Sequence, residues 1–262
     1  MLPDSQAVKA VYLNSESGTI AGAMAALSSG SDSSKILMEC GTIETATILE
    51  VNEAVKAAAS KLQSGSPLTF VDGPVSGGPM GAQDGTLCFM VGANEIKVFQ
   101  SVKDVLSNMG IRDSIFLCGD VGAGTAFKVI NNYLSAITSL AASEALNIGV
   151  KMGLDPKLLT DVINVSGGQC WVTSKSNPVP GVHENAPASR DYNGGFRIEL
   201  CKKVLKMGSD LADMVGARHI LDKPTLDAFE EVAADSRYKG KDARVVYKWL
   251  NESKKDPDGG WK

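Results

Sequence analysis

Histidine is nearly missing from this 262-residue chain. His183 and His219 are the two present, and they are not spaced as a ligand pair. They offer neither a histidine metal centre nor a Ser/His relay. The five cysteines (Cys40, Cys88, Cys118, Cys170 and Cys201) are scattered with no CxxC pair. That excludes a zinc ribbon or a disulfide framework, and the thiols read as reduced core residues. Basic charge is not in excess: the formal net charge is −4, which gives no footprint for nucleic acid. No apolar run reaches the roughly 18 residues of a membrane span. The phosphate-binding signatures GxGxxG and GxxxxGK[ST] are both absent. The opening MLPDSQAVKAVYLNSES has no signal-peptide pattern and no Arg-rich presequence character.

What is there is an ordinary globular composition, 44% hydrophobic and 21% charged, enough for one or two domains. To about residue 121, short apolar runs alternate with helical patterns. SSKILMEC, PLTFVD, TLCFMVGA and SIFLCG predict strands. TIETATILEVNEAVKAAASKLQSG predicts a helix closed by Gly65, and NEIKVFQSVKDVLSNMG one capped by Gly110. Such alternation predicts an α/β unit with a parallel sheet. Beyond Gly119 the pattern turns helical, led by an uninterrupted helix of about thirty residues, VGAGTAFKVINNYLSAITSLAASEALNIGVKMG. Helical patterns continue over 155–165, 199–215, 225–236 and 241–250, broken by one irregular stretch around residues 166–196. The expected division is therefore 1–121, α/β, and 122–262, all-α. The tail ESKKDPDGGWK is expected to fray.

Two segments carry polar groups suited to chemistry. The loop FVDGPVSGGPMGAQDGTL resembles a phosphate cradle, but its nearest GxGxxG frame is Ser76, Gly78 and Gly81, with serine first. It reads either as a turn-rich connection or as a nest, in which Ser76 and the N–H groups of Gly77 and Gly78 hold a small anion such as a carboxylate. On the long helix Lys128, Asn132, Ser135, Ser139 and Ser143 share one stripe, among the apolar Phe127, Val129, Ile130, Leu134, Ile137 and Leu140. A lysine there either snorkels to solvent or faces a cleft, where a depressed pKa would suit proton transfer. Thr42 ends a strand, as a ligand contact or as a helix cap for IETA. By spacing alone Lys203 is a solvated helix residue.

Together these segments resemble the β-hydroxyacid dehydrogenase family. DGPVSGGPMGA is similar to its substrate-binding segment D-x-P-V-S-G-G-x-x-G-A. GDVGAGTAFKVINN is similar to its catalytic segment G-x-x-G-x-G-x-x-x-K-x-x-x-N. NVSGGQCW, NPVPGV and YNGGF narrow the resemblance to the 3-hydroxyisobutyrate dehydrogenases within it. The resemblance implies NAD-dependent oxidation of a 3-hydroxy acid to its semialdehyde, a step of valine degradation. Lys128 would be the catalytic lysine, Asn132 the residue orienting substrate, and Ser76, Gly77 and Gly78 the carboxylate holders. Leu2, Pro3, Thr42 and Lys203 would line the cofactor. It also implies a mitochondrial location and a homodimer or homotetramer joined through the helical domain. Alternatives are a related enzyme, such as a tartronate semialdehyde reductase, or a non-catalytic fragment that pairs with full-length subunits. Two positions depart from the family pattern: Val204-Leu205 stands where Asp-Leu follows the cofactor lysine, and Ala7 where asparagine is common. The family's first βαβ unit, with its GxGxxG turn and ribose-binding acid, would precede MLP. An incomplete Rossmann-type domain that binds NAD weakly is therefore expected of these residues.

Overall fold

A computed structural model describes residues 1–29, 34–62 and 68–252. It separates into two compact units, Met1–Ile130 and Asn131–Lys262, so the division falls inside the long helix rather than at its start. The predicted closure by Gly65 and most of the tail fall outside the described residues.

The first unit opens with two helices that sequence reading did not assign, α1 (Ser5–Leu13) and α2 (Thr19–Ser28). Asp4 begins α1 by accepting the Ala7 N–H at 2.8 Å, which satisfies one of the N–H groups left open at a helix start. Val8 and Tyr12, one turn apart, are the buried face of α1. Strand β1 (Lys35–Glu39) and helix α3 (Thr45–Ala59) follow. In α3 the buried Ile48, Val51 and Val55 repeat at helical spacing. The sheet continues through β2 (Leu68–Asp72), the short β3 (Val75–Ser76), β4 (Leu87–Gly92) and β5 (Gly110–Gly119). Helix α4 (Gly78–Gln83) lies between β3 and β4, and α5 (Ile96–Leu106) between β4 and β5.

The sheet is mixed. β1 and β2 pair parallel, as do β4 and β5, in line with the expected α/β unit. β4 runs antiparallel to both β2 and β3. The cause lies in the glycine loop. Gly73-Pro74 interrupts the strand but keeps its place in the ladder, since the Pro74 carbonyl accepts the Met90 N–H at 3.1 Å. The six-residue α4 then turns the chain back beside the strand it left. Parallel return needs a full crossover element.

Core residues flank the sheet on both faces. Phe70 of β2 packs with Val8, Ile48 and Val51, while its neighbour Val71 points the other way, to Phe89, Val91, Phe99 and Val102. Strand β4 alternates in the same manner: Leu87, Phe89 and Val91 are core, whereas Cys88 and Met90 are half-buried on the opposite face. Helix α5 ends at Leu106 with Ser107 as its cap, so Gly110 is not the cap. Gly110 opens β5 opposite Leu87, where a Cβ would lie 2.2 Å from the Leu87 carbonyl oxygen.

The second unit is helical, and it lies within the all-α part expected from residue 122 onward. Helix α6 (Ala123–Lys151) begins in the first unit and continues into the second. It is followed by α7 (Pro156–Asn164), α8 (Trp171–Lys175), α9 (Ile198–Met214), α10 (Asp222–Ala234) and α11 (Val246–Glu252). α8 lies in the stretch read as irregular. α10 starts before the predicted Thr225, and α11 starts after the predicted Lys241, behind a 3-10 turn at Ala243–Val245. The core gathers Tyr192, Ile198, Leu205, Phe229, Tyr238 and Val246. Helix α9 approaches α6 closely: a Cβ on Gly208 would meet the Tyr133 ring at 2.4 Å.

One contact positions the start of α6. Asp72, at the C-terminal end of β2 and fully buried, accepts the Gly122 N–H on Oδ1 at 2.7 Å and the Thr125 N–H on Oδ2 at 2.6 Å. Two of the open N–H groups at the α6 N-terminus thus find a carboxylate fifty residues earlier in the chain. Burial pushes the Asp72 carboxyl above the usual range, and those N–H donors oppose the shift. Glycines make the approach possible. A Cβ on Gly92 would lie 2.2 Å from Asp72 Oδ1, and one on Gly124 would lie 2.1 Å from the Met90 carbonyl oxygen. Asp72→Ala leaves two buried donors unpartnered and is expected to lower stability by about 2–6 kcal/mol, at roughly 1–3 kcal/mol per donor. Urea unfolding followed by circular dichroism measures it, and a loss within error of zero would refute this role.

Candidate active site

Helix α6 lies against β4 through Gly124, whose backbone sits at Met90 and Gly92. Lys128 is one turn further on the same side of the helix. Cys88 precedes Met90 by two residues and shares its face of β4. Lys128 and Cys88 are accordingly within electrostatic reach of each other. Ser76 stands directly opposite Cys88 in the β3–β4 pair, so those two side chains also share a face. Cys88 thus neighbours Ser76 across the strand pair and Lys128 of α6.

Lys128 is only 8% exposed and makes no hydrogen bond or ion pair among the described residues. A snorkelling surface lysine is excluded. Burial lowers its pKa, and negative charge on the nearby Cys88 opposes that. Gly77 and Gly78, with φ of +137° and +64°, take conformations that other residues rarely adopt. Both are exposed beside the half-buried Ser76, so their backbone is open to a ligand.

The rest of the α6 stripe divides by role. Asn132, half-buried, follows Lys128 by one turn and belongs to the second unit. Ser139 and Ser143 are buried, and their hydroxyls donate to the carbonyls of Ser135 and Ser139 at 2.7 Å, so both serve their own helix. Phe127, Ile130 and Leu134, read as apolar surroundings of the stripe, are exposed on another face. Lys203 is half-buried on α9 in the second unit.

Leu2 and Thr42 both flank Gly41, just past the end of β1. The Leu2 carbonyl oxygen borders Gly41, and the Leu2 side chain packs on the Val8 cluster. Pro3 is exposed beside them. Thr42 does not cap α3: that position is held by Glu44, with no side-chain bond to the helix. Nearby, the buried Thr45 hydroxyl has no hydrogen-bond partner among the described residues. Such a donor suits a ribose or amide group of a nicotinamide nucleotide. Its pyrophosphate has no comparable seat at α1, whose N-terminus is already capped by the Asp4 carboxylate.

Sequence reading missed Cys88 and Asp72. Cys88 was read as a core thiol, yet only Cys201 is buried; Cys40, Cys88, Cys118 and Cys170 are half-buried. The alternation in LCFMV was the available signal, because it sets Cys88 on the face opposite the core. Asp72 was visible as the first residue of the DGPVSGGPMGA segment, but its hold on α6 left no signal, since its partners lie on a distant helix.

A buried ammonium without a partner is a stability cost that a neutral side chain would remove. Its lowered folded pKa means that the unfolded chain holds more protons between that value and the ordinary lysine value of about 10.4. Stability should therefore rise with pH through that window. Lys128→Met is expected to melt higher than the wild type near neutral pH, with the gap closing as pH rises. Equal melting temperatures across the range would show that the lysine carries no burial penalty.

Residues 122–250 match a family model described as the NAD-binding domain of NADP-dependent 3-hydroxyisobutyrate dehydrogenase. Residues 1–119 match the NAD-binding domain of 6-phosphogluconate dehydrogenase. A probable mitochondrial 3-hydroxyisobutyrate dehydrogenase of Dictyostelium discoideum is 40% identical, over 98% of this chain and 73% of that protein. The human mitochondrial 3-hydroxyisobutyrate dehydrogenase is 36% identical, over 83% of this chain and 61% of its own length. The chain thus spans roughly three-fifths to three-quarters of such relatives. The solved 3-hydroxyisobutyrate dehydrogenase of Mycobacterium tuberculosis with L-serine superposes at a TM-score of 0.80, with 31% identity, over 95% of this chain and 77% of that one. On fold, motifs and these likenesses alike, the chain belongs to the 3-hydroxyisobutyrate dehydrogenase family.

Proposed function

We propose that this chain carries the substrate half of an NAD-dependent oxidation of 3-hydroxyisobutyrate to methylmalonate semialdehyde, a step of valine degradation. The observation that supports it most is Lys128, 8% exposed and without a hydrogen bond or ion pair among the described residues, on the side of the Ser76 face and its glycine loop. In this reading Ser76 and the backbone of Gly77 and Gly78 bind the substrate carboxylate, and Asn132 orients the substrate. Neutral Lys128 takes the hydroxyl proton while the C–H bond of the same carbon breaks and the carbonyl forms. NAD, when bound, supplies the hydride acceptor. Leu2, Pro3, Thr42 and Lys203 are proposed to line it, within a cofactor domain at 1–121 and a substrate and assembly domain at 122–262. The M. tuberculosis relative was solved with L-serine, which carries the same pairing of a carboxylate and a 3-hydroxyl.

Because burial lowers the Lys128 pKa, the oxidation rate should rise with pH and level off below the ordinary lysine range. Lys128→Ala is expected to lower kcat by about 10²–10⁴-fold. Ser76→Ala should mainly raise KM. Steady-state kinetics at saturating NAD measures both, and normal turnover by Lys128→Ala would end this reading. Faster reduction of tartronate semialdehyde than of methylmalonate semialdehyde would move the substrate within the family.

No GxGxxG turn lies within these 262 residues, so weak NAD binding is proposed for this polypeptide. Calorimetry that returned micromolar affinity would refute it. The relatives are named mitochondrial, and a mitochondrial location is proposed by that likeness. A homodimer or homotetramer through the helical unit is proposed likewise, with light scattering as its test.

A further inference from the structure

Cys88 is a half-buried thiol that the fold sets at the candidate active site. Gly124 locks α6 onto β4, the helical repeat carries Lys128 back along that strand, and the strand alternation puts Cys88 beneath it. The β3–β4 register then places Ser76 across from the same thiol. Lys128 is 8% exposed as a residue, its amine makes no hydrogen bond among the described residues, and its electrostatic neighbour is Cys88.

We propose that Cys88 is a positioning residue for Lys128, a neutral thiol that accompanies the buried amine and leaves it free to shed and regain a proton. The proposal rests on the reading of Lys128 as the base. A carboxylate at this position would pair with the amine and hold it as ammonium, since an opposite charge within about 4–6 Å favours the charged form. An ammonium has no lone pair with which to take the hydroxyl proton. A neutral thiol contributes bulk and a weak donor or acceptor without that attraction.

The surrounding charges are few. From β4 the facing group is Cys88 itself, and Cys118 of β5 is within reach of that thiol. Asp72 at the end of β2 is engaged with the first turn of α6. Burial raises the Cys88 pKa, and the Lys128 charge lowers it.

The coupling is reciprocal, which gives a test that needs no turnover. The pH dependence of Cys88 alkylation by iodoacetamide, read by peptide mass spectrometry, is compared in the wild type and in Lys128→Met. Loss of the neighbouring ammonium should move the alkylation midpoint upward by about one pH unit. A midpoint that does not move would overturn the proposal. The Lys128 amine is then titrated by NMR in Cys88→Asp and Cys88→Ser, with circular dichroism melts to confirm folding. Cys88→Asp should raise the amine pKa by about one unit or more, and the pH–rate profile of oxidation should shift to alkaline pH in step. Cys88→Ser should stay close to the wild type in both. A folded Cys88→Asp with an unmoved amine would overturn the assignment. Unimpaired turnover by Lys128→Ala would instead overturn the proposed base, independently of the alkylation result.

Discussion

The bond between the Asp72 carboxylate and the first turn of α6 is the constraint on which the first unit's polar face depends. A helix start leaves N–H groups without acceptors, and a buried one must find them. Asp72 provides two acceptor oxygens at the end of a strand, fully out of solvent. The contact sets where α6 begins and which side of it meets β4. The absence of side chains at Gly92 and Gly124 is part of the same constraint, because any Cβ there would occupy the space of the carboxylate or of the strand backbone. Everything said of Lys128 follows from that docking, since it sits one helical turn beyond Gly124.

Lys128 shows the opposite economy. Lys128 is a buried residue without, among the described residues, the hydrogen bonds that Asp72 receives. Natural chains tolerate such a group where its reactivity is used, because a depressed pKa puts the amine close to both protonation states. The glycine loop adds a second locally unfavourable feature, with Gly77 and Gly78 at positive φ. One short region therefore concentrates the departures from ordinary folding preference, while the strands and helices around it obey them.

Much of the fold was legible because its signals are local. The periodicity of Ile48, Val51 and Val55 marks α3, and the alternation of Leu87, Phe89 and Val91 marks β4. The antiparallel turn of β4 was not legible. It depends on a six-residue helix reversing the chain and on Pro74 keeping its place in the ladder, and neither leaves a periodic trace. Gly110 misled for a similar reason: a glycine after a helix resembles a cap, but this one makes room for the Leu87 carbonyl in a strand pair. Residues 5–28 went unassigned although α1 carries an Asp4 cap and a buried pair one turn apart. In the candidate site, Ser76 and Lys128 were legible as residue types in motifs, but their neighbour Cys88 was not.

By itself the sequence determined the order of the longer strands and helices from β1 onward, the chemistry carried by the glycine loop and the lysine-bearing helix, and the family through ordered motifs. These depend on spacing along the chain, which the helical and strand repeats convert directly into faces. The tertiary structure alone decided which faces meet. It placed Asp72 under α6, turned the Cys88 face of β4 toward Lys128, and set Ser76 across from that thiol. Such pairings join residues tens of positions apart, and they arise from packing and register between elements. No local pattern encodes them.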